Sequence, residues 1–323
     1  MMNYEVMNYE EFKEVVKDKL MDYMPEKFKR MKLEVFSEPK VNRILDGIVL
    51  NEKGKSVSPV LYINDLYRTY QNCGNLEAAL LEGCDFLEKA YEKAQSIDIG
   101  MRDVMEDANK KIVFCLINTE QNKALLEQVP HRGYLDLSIV YRIVVRVDRD
   151  GVRSTIITNA LAARLGMSEE QIYMHAIENT QRIFPPVVRN MHEMLAQLCP
   201  VGEKLPEMNP DEQSMWIISN NRGINGAASM LYEDVLLALA VRLKSDLYIL
   251  PSSVHEVIVV PSSEDFNNPD ELAQLVWKAN MQQVALDERL SNQVYFYKKD
   301  TRKITLATTT PYKKLDSPFR WFR

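Results

Sequence analysis

An α+β fold, with mixed and largely antiparallel sheets flanked by helices in two or three lobes, follows from three features of the sequence. Short apolar runs meet at tight turns, as at Asp148-Arg149-Asp150-Gly151 and Lys299-Asp300-Thr301-Arg302, and hairpins join antiparallel strands. Helical periodicity is interspersed among these strands instead of alternating regularly with them, which argues against a doubly wound parallel sheet. Residues 199–213, CPVGEKLPEMNPDEQ, hold three prolines without periodicity and read as a linker or long surface loop. The expected lobes are residues 1–98, 99–198 and 214–323.

In residues 8–30, Tyr9, Phe12, Val15, Val16, Leu20 and Met24 recur at helical steps until Pro25. Strands are expected at 31–36, 43–50 and 56–63, the last two joined through Asn51-Glu52-Lys53-Gly54. Helices follow at 64–71 and 76–95, divided by Asn72-Cys73-Gly74-Asn75. In the second lobe a short helix leads to a strand at 112–117, then a helix at 120–128. A long strand at 134–147 places Leu135, Leu137, Ile139, Tyr141, Ile143 and Val145 on one face; its mate is 152–158. Ser168 and Gln171 form a capping box for a helix through Arg182. Pro185-Pro186 stop it, and a helix at 187–198 closes the lobe. The third lobe reads as strand, helix 227–243, strand, PSS turn, strand, helix 269–284, and a hairpin of 293–298 with 303–307.

Across 323 residues, 46% hydrophobic and 27% charged side chains describe an ordinary globular chain. No apolar run approaches the roughly 20 residues of a membrane span, and the acidic N-terminus is unlike a signal peptide, so a cytoplasmic location is expected. Cys73, Cys84, Cys115 and Cys199 are scattered, without metal-ligand or disulfide spacing, and neither metal nor cofactor is expected. From Tyr295 onward eight bases face two acids, so the preceding residues carry −12 of the net −6. An acidic body with a basic, aromatic end suggests a tail offered to a partner or docked on the chain itself.

Several near-motifs fail on spacing. Gly54-Lys55-Ser56 imitates the end of a phosphate-binding loop, but the position of its first glycine is Val49. His255-Glu256 opens like a zincin motif, and its closing histidine position is Val259. His175, Glu178 and Asn179 share a helix face that reads as solvated, and Asp136 interrupts its strand in the manner of an edge or buried hydrogen bond. Two places remain. Ser253 and His255 are the candidates for a hydrolytic nucleophile and base, with Glu256 a further candidate beside them, although no orienting acid and no oxyanion loop is identifiable. Asn220, Asn221, Asn225 and Gly226 form a polar loop opening a helix whose N-terminus suits an anion, and Ser252 of the PSS turn joins them as a ligand-binding candidate. The two segments are expected to converge at one end of the third lobe's sheet.

Five stretches carry a resemblance: the LYxxY pattern from Leu66 to Tyr70, YLDLSIVYRI from Tyr134, SEEQIYMHAIENT from Ser168, NGAASMLY from Asn225 and LPSSVHEVIVVP from Leu250. They resemble the bacterial family catalogued as domain of unknown function 5688, over most of the chain. The helix–strand–PSS arrangement is more distantly similar to the YtpQ-type uncharacterised family. Neither resemblance implies an active residue. Without a complete catalytic constellation, the sequence leans toward a non-catalytic binding or regulatory protein that acts on another macromolecule. The expected partner is a protein, contacted by Lys313, Lys314, Phe319, Arg320, Trp321, Phe322 and Arg323. A hydrolase centred on the PSS-x-HE turn is the first alternative, and nucleic-acid contact through the basic C-terminus is the second.

Overall fold

A computed structural model describes residues 7–51, 58–96, 101–149, 151–198, 215–263 and 268–308. Residues 1–100 and 101–317 form two compact units. The GKS triplet and the tail at 309–323 lie outside the described residues. Among the described residues no helix is long and apolar enough to cross a membrane.

In the first unit, Asn8 and Glu11 cap each other at the start of α1 (Tyr9–Tyr23), a capping box the residue pattern contains but which the periodicity alone did not reveal. Helix α1 ends at Tyr23, as the proline in the sequence suggests, because Pro25 forces Met24 into extended backbone, and residues 26–30 do not continue it. Strands β1 (Lys32–Lys40) and β2 (Arg43–Asn51) pair antiparallel in the register Lys40↔Arg43. The tight turn therefore falls at Val41-Asn42, where Asn42 takes the left-handed conformation its short polar side chain tolerates. Strand β3 (Leu61–Tyr62) pairs with the other side of β2; the turn expected at 51–54 lies largely outside the described residues. Helix α2 (Ile63–Cys73) stops at Gly74 in a left-handed cap, and α3 (Leu76–Ser96) follows. Phe12, Val16, Leu20, Ile48, Leu50, Ile63, Leu80 and Leu87 form the core.

One buried charge ties this core together. The Asp46 carboxylate, on β2, accepts hydrogen bonds from Tyr9 Oη at 2.9 Å and from Ser37 Oγ, and pairs with Lys13 Nζ at 3.0 Å. Burial works to raise this carboxyl, but the bonds from Ser37, Lys13 and Tyr9 together hold it below its ordinary range. A depressed carboxylate stabilises the fold above its unfolded-state pKa of about 3.9, and the contribution disappears as pH falls through the lower folded value. Asp46→Asn should therefore cost about 1.5–3 kcal/mol at neutral pH. In acid-unfolding curves followed by circular dichroism, the gap between variant and wild type should close below about pH 4. A pH-independent gap contradicts the assignment.

The second unit begins with the short helices α4 (Met101–Met105) and α5 (Ala108–Lys111). Its four-stranded sheet holds β4 (Ile112–Asn118), β5 (His131–Tyr134), β6 (Leu137–Asp148) and β7 (Gly151–Ile156), with α6 (Lys123–Leu126) after β4. Strand β4 pairs along one side of β6, while β5 and β7 share the other. The single strand expected at 134–147 is thus broken: Leu135 takes a left-handed backbone, and β5 and β6 form a hairpin in the register Tyr134↔Leu137. Leu135 is consequently 41% exposed, whereas Leu137, Ile139, Tyr141 and Ile143 are buried. Val145 sits at an irregularity between Val144 and Arg146 and is only half-buried.

Thr158 caps α7 (Asn159–Leu165), which ends at left-handed Gly166, and the Ser168–Gln171 box opens α8 (Glu169–Ile183) as expected. Asn179 on α8 is buried rather than solvated, its carboxamide bonding the Asn109 carbonyl at 2.7 Å. The helix expected at 187–198 starts late. Residues Pro186–Asn190 instead form β8, before α9 (Met191–Leu198), because β-branched Val187 and Val188 pair against β9 (Trp216–Asn220).

The helix expected at 227–243 is divided by extended Tyr232 into a 3₁₀ helix (Gly226–Leu231) and α10 (Glu233–Leu243). The chain continues as β10 (Leu247–Leu250), β11 (Val257–Pro261), α11 (Pro269–Gln282), β12 (Tyr295–Lys298) and β13 (Lys303–Leu306). These strands make a six-stranded sheet, β13-β12-β10-β11-β9-β8, antiparallel throughout. With β8 inside this sheet, and with Ile139 and Tyr141 in one core with Ile218, Leu236, Ile249 and Tyr295, the expected central and C-terminal lobes form a single unit.

Candidate functional site

The loop after β9 meets the turn before β11. Asn220 folds that loop: its Nδ2 donates to the Ile224 carbonyl at 2.8 Å, and its Oδ1 accepts the Arg222 N–H at 2.9 Å. Asn225 follows in left-handed backbone, and its N–H points at His255 Nδ1, 3.2 Å away. Ser219 Oγ donates to the His255 carbonyl at 2.7 Å, and the Ala227 N–H reaches the Val254 carbonyl. The convergence of Asn225 with His255 is therefore present in the fold, as one hydrogen-bonded seam.

Gly226 lies at its centre. A Cβ there would overlap Ser219 Oγ and the His255 carbonyl oxygen, and would stand 2.8 Å from the Asn220 nitrogen. The sequence pattern suggests a cap at this glycine; the structure gives it the different job of letting two backbones approach.

An imidazole whose Nδ1 accepts a backbone N–H must carry its proton on Nε2 when neutral. That nitrogen faces a Glu288 carboxylate oxygen at 3.3 Å. Both ring nitrogens are engaged, one in holding the loop and the other in facing the carboxylate. Ser253 Oγ accepts the backbone N–H of His255 at 3.0 Å, a local turn bond, and does not meet the ring. No bond joins the Ser253 hydroxyl to the His255 ring, because residues 251–254 form a turn that pairs with 288–291 through Val254 N–H to Glu288 O and Leu290 N–H to Ser252 O. Ser252 is buried in this turn, and Glu256 is exposed.

The open helix N-terminus expected at 225–226 is also absent. A short 3₁₀ helix stands there, and the amides of Asn225 and Ala227 already have acceptors. Asn221 is exposed, its N–H bonded to the Pro185 carbonyl.

Beside this seam Asn220 and Asn225 line a pocket whose other walls include Cys115, Arg142, Val144 and Phe184. Burial pushes the Cys115 thiol above its ordinary range against the opposing charge of Arg142, so it is a neutral wall rather than a nucleophile. Arg142 was not legible as a site residue, since a lone arginine in an apolar strand has no motif.

Elsewhere in this unit, Asp136 explains its own interruption of the strand pattern. Its carboxylate accepts Tyr295 Oη and Ser291 Oγ, each at 2.6 Å. Arg132 pairs with Glu169 at 2.9 Å and stacks on Tyr173, fixing β5 to the start of α8. Among the described residues no group of three His, Cys, Asp or Glu side chains could hold a metal ion.

No curated protein and no solved structure gives a match to this chain. The sequence model of one family does match, over residues 9–299, a span that includes every described element through β12. This chain belongs to the family of unknown function DUF5688.

Proposed function

We propose that the protein is a non-catalytic, cytoplasmic binding or regulatory protein acting on another protein. The observation that carries this reading is the state of His255: with its Nδ1 accepting from Asn225 and its Nε2 facing Glu288, the ring has no free basic nitrogen for a nucleophile. The contact element in this reading is the basic, aromatic segment 312–323, including Lys313, Lys314, Phe319, Arg320, Trp321, Phe322 and Arg323. Aromatic anchors beside cationic groups suit a groove on a protein partner. The acidic remainder of the chain opposes a polyanion.

Two variants test the reading together. His255→Ala should lower the melting temperature of residues 101–317 by roughly 2–8 °C, from a loss of about 1–2 kcal/mol. It should leave any ester, phosphoester or peptide hydrolysis by the preparation unchanged. Loss of turnover with an unchanged melting curve establishes the hydrolase instead. Deleting residues 312–323 should not alter affinity for random-sequence DNA or RNA; salt-dependent binding that disappears with the deletion overturns the protein-partner reading.

A further inference from the structure

We propose that the pocket bounded by β4, β6, β7, α8 and the loop after β9 is a binding site for a short monocarboxylate, anchored by Arg142 with Asn225 as a second polar contact. The site is distinct from contact with a macromolecule and does not depend on it.

Position and surroundings make the case for Arg142. It sits inside the sheet, opposite Val113 on β4 and Ile156 on β7, and its side chain is half-buried. Its Nε donates to Ser154 Oγ at 2.9 Å and its Nη2 to the Ser154 carbonyl at 3.2 Å. Both acceptors are neutral. Among the described residues no carboxylate pairs with this guanidinium, and a guanidinium has five N–H donors in a flat fork. Val113, Val144, Val152 and Phe184 line the same pocket. The polar wall groups Ser154, Thr180, Asn220 and Asn225 are all neutral, so this half-buried cation lacks a counter-charge, and an oxyanion that accepts its remaining donors supplies one.

Three further features narrow the ligand. No second cation lines the pocket, and the Cys115 thiol beside Arg142 is neutral. A single guanidinium balances one negative charge, so a dianion such as phosphate leaves a charge uncompensated against apolar walls. The cavity of about 30 Å³ has room for about two water-sized groups, so it takes the two oxygens of a carboxylate and leaves a short stem at its mouth. Asn225 lines the pocket too, and its carboxamide has no hydrogen-bond partner among the described residues. By contrast, both ends of the Asn220 carboxamide are spent on the loop.

The experiment is an NMR titration of the full chain at pH 7 with sodium propionate, sodium phosphate and sodium chloride at matched ionic strength. Saturable shifts of the Arg142 Nε–H and of the Asn225 amide are expected with propionate and not with chloride. R142Q should weaken that response by roughly tenfold or more, the loss of one charge-assisted bidentate contact. N225D keeps a residue that tolerates the left-handed backbone while adding a repelling charge, and it should weaken binding in a folded protein even if R142Q does not fold. The proposal is overturned by linear, unsaturable shifts, by tighter binding of phosphate than of propionate, or by an undiminished propionate response in N225D.

Discussion

Gly226→Ala should destabilise residues 101–317 by about 3 kcal/mol, the upper end of the usual overpacking range. The added carbon overlaps Ser219 Oγ and the His255 carbonyl oxygen and sits 2.8 Å from the Asn220 nitrogen, and two of those three atoms belong to backbone held in hydrogen bonds. Relief requires β9 and the turn at 251–256 to separate, which breaks the Ser219–His255 and Asn225–His255 bonds together. Gly223 provides the contrast within the same loop. Its φ of +65° strains any L-residue, but nothing lies within 4 Å of an added Cβ. Gly223→Ala should therefore cost only the conformational penalty of about 1–2 kcal/mol. Urea unfolding of both variants measures the difference, and equal destabilisation contradicts the close approach at Gly226.

Ile139→Asp should leave the second unit unfolded. Ile139 is 3% exposed and packs in the core shared by both sheets. Removing its apolar side chain alone is worth about 2–5 kcal/mol. Burying a carboxyl without a partner adds several more, whether it stays charged or takes up a proton. The total rivals the roughly 5–15 kcal/mol by which a domain is stable. Leu135→Asp makes the opposite test of the same stretch. Leu135 is 41% exposed at a φ of 55°, a backbone that aspartate tolerates better than leucine. That variant should melt within about 0.5 kcal/mol of the wild type. A shift as large as that of Ile139→Asp means that the strand runs unbroken through Leu135 after all.

Local chemistry was the legible part of this fold. The alternation from Leu137 to Ile143, the Ser168–Gln171 box and the Asp148–Gly151 turn each rest on neighbours in sequence, and each produces the expected element. Long-range partners account for the differences. The strand breaks at Leu135-Asp136 because Ser291 and Tyr295, more than 150 residues away, take the Asp136 carboxylate. The helix at 227–243 divides at Tyr232, whose hydroxyl bonds the Phe184 carbonyl. Val187-Val188 after two prolines was a β signal that periodicity with the following helix obscured; pairing with β9 decides it.

The same distinction governs the site. Asn and Gly at 220–226 marked where two segments meet, and they do meet. The partner of His255 was sought among neighbouring serines, whereas its ring is held by an amide 30 residues earlier and a carboxylate 33 residues later. Arg142 and Glu288 carried no signal in sequence because their roles arise only where strands and loops from distant parts of the chain adjoin.

The role of His255 is the claim on which the non-catalytic reading depends, and the ring nitrogens report it directly. In ¹⁵N-labelled protein, the neutral ring is expected to carry its proton on Nε2, with Nδ1 coupled through a hydrogen bond to the Asn225 amide proton. A neutral ring protonated at Nδ1, or an Nδ1 without that coupling, contradicts it and returns His255 to the list of available bases.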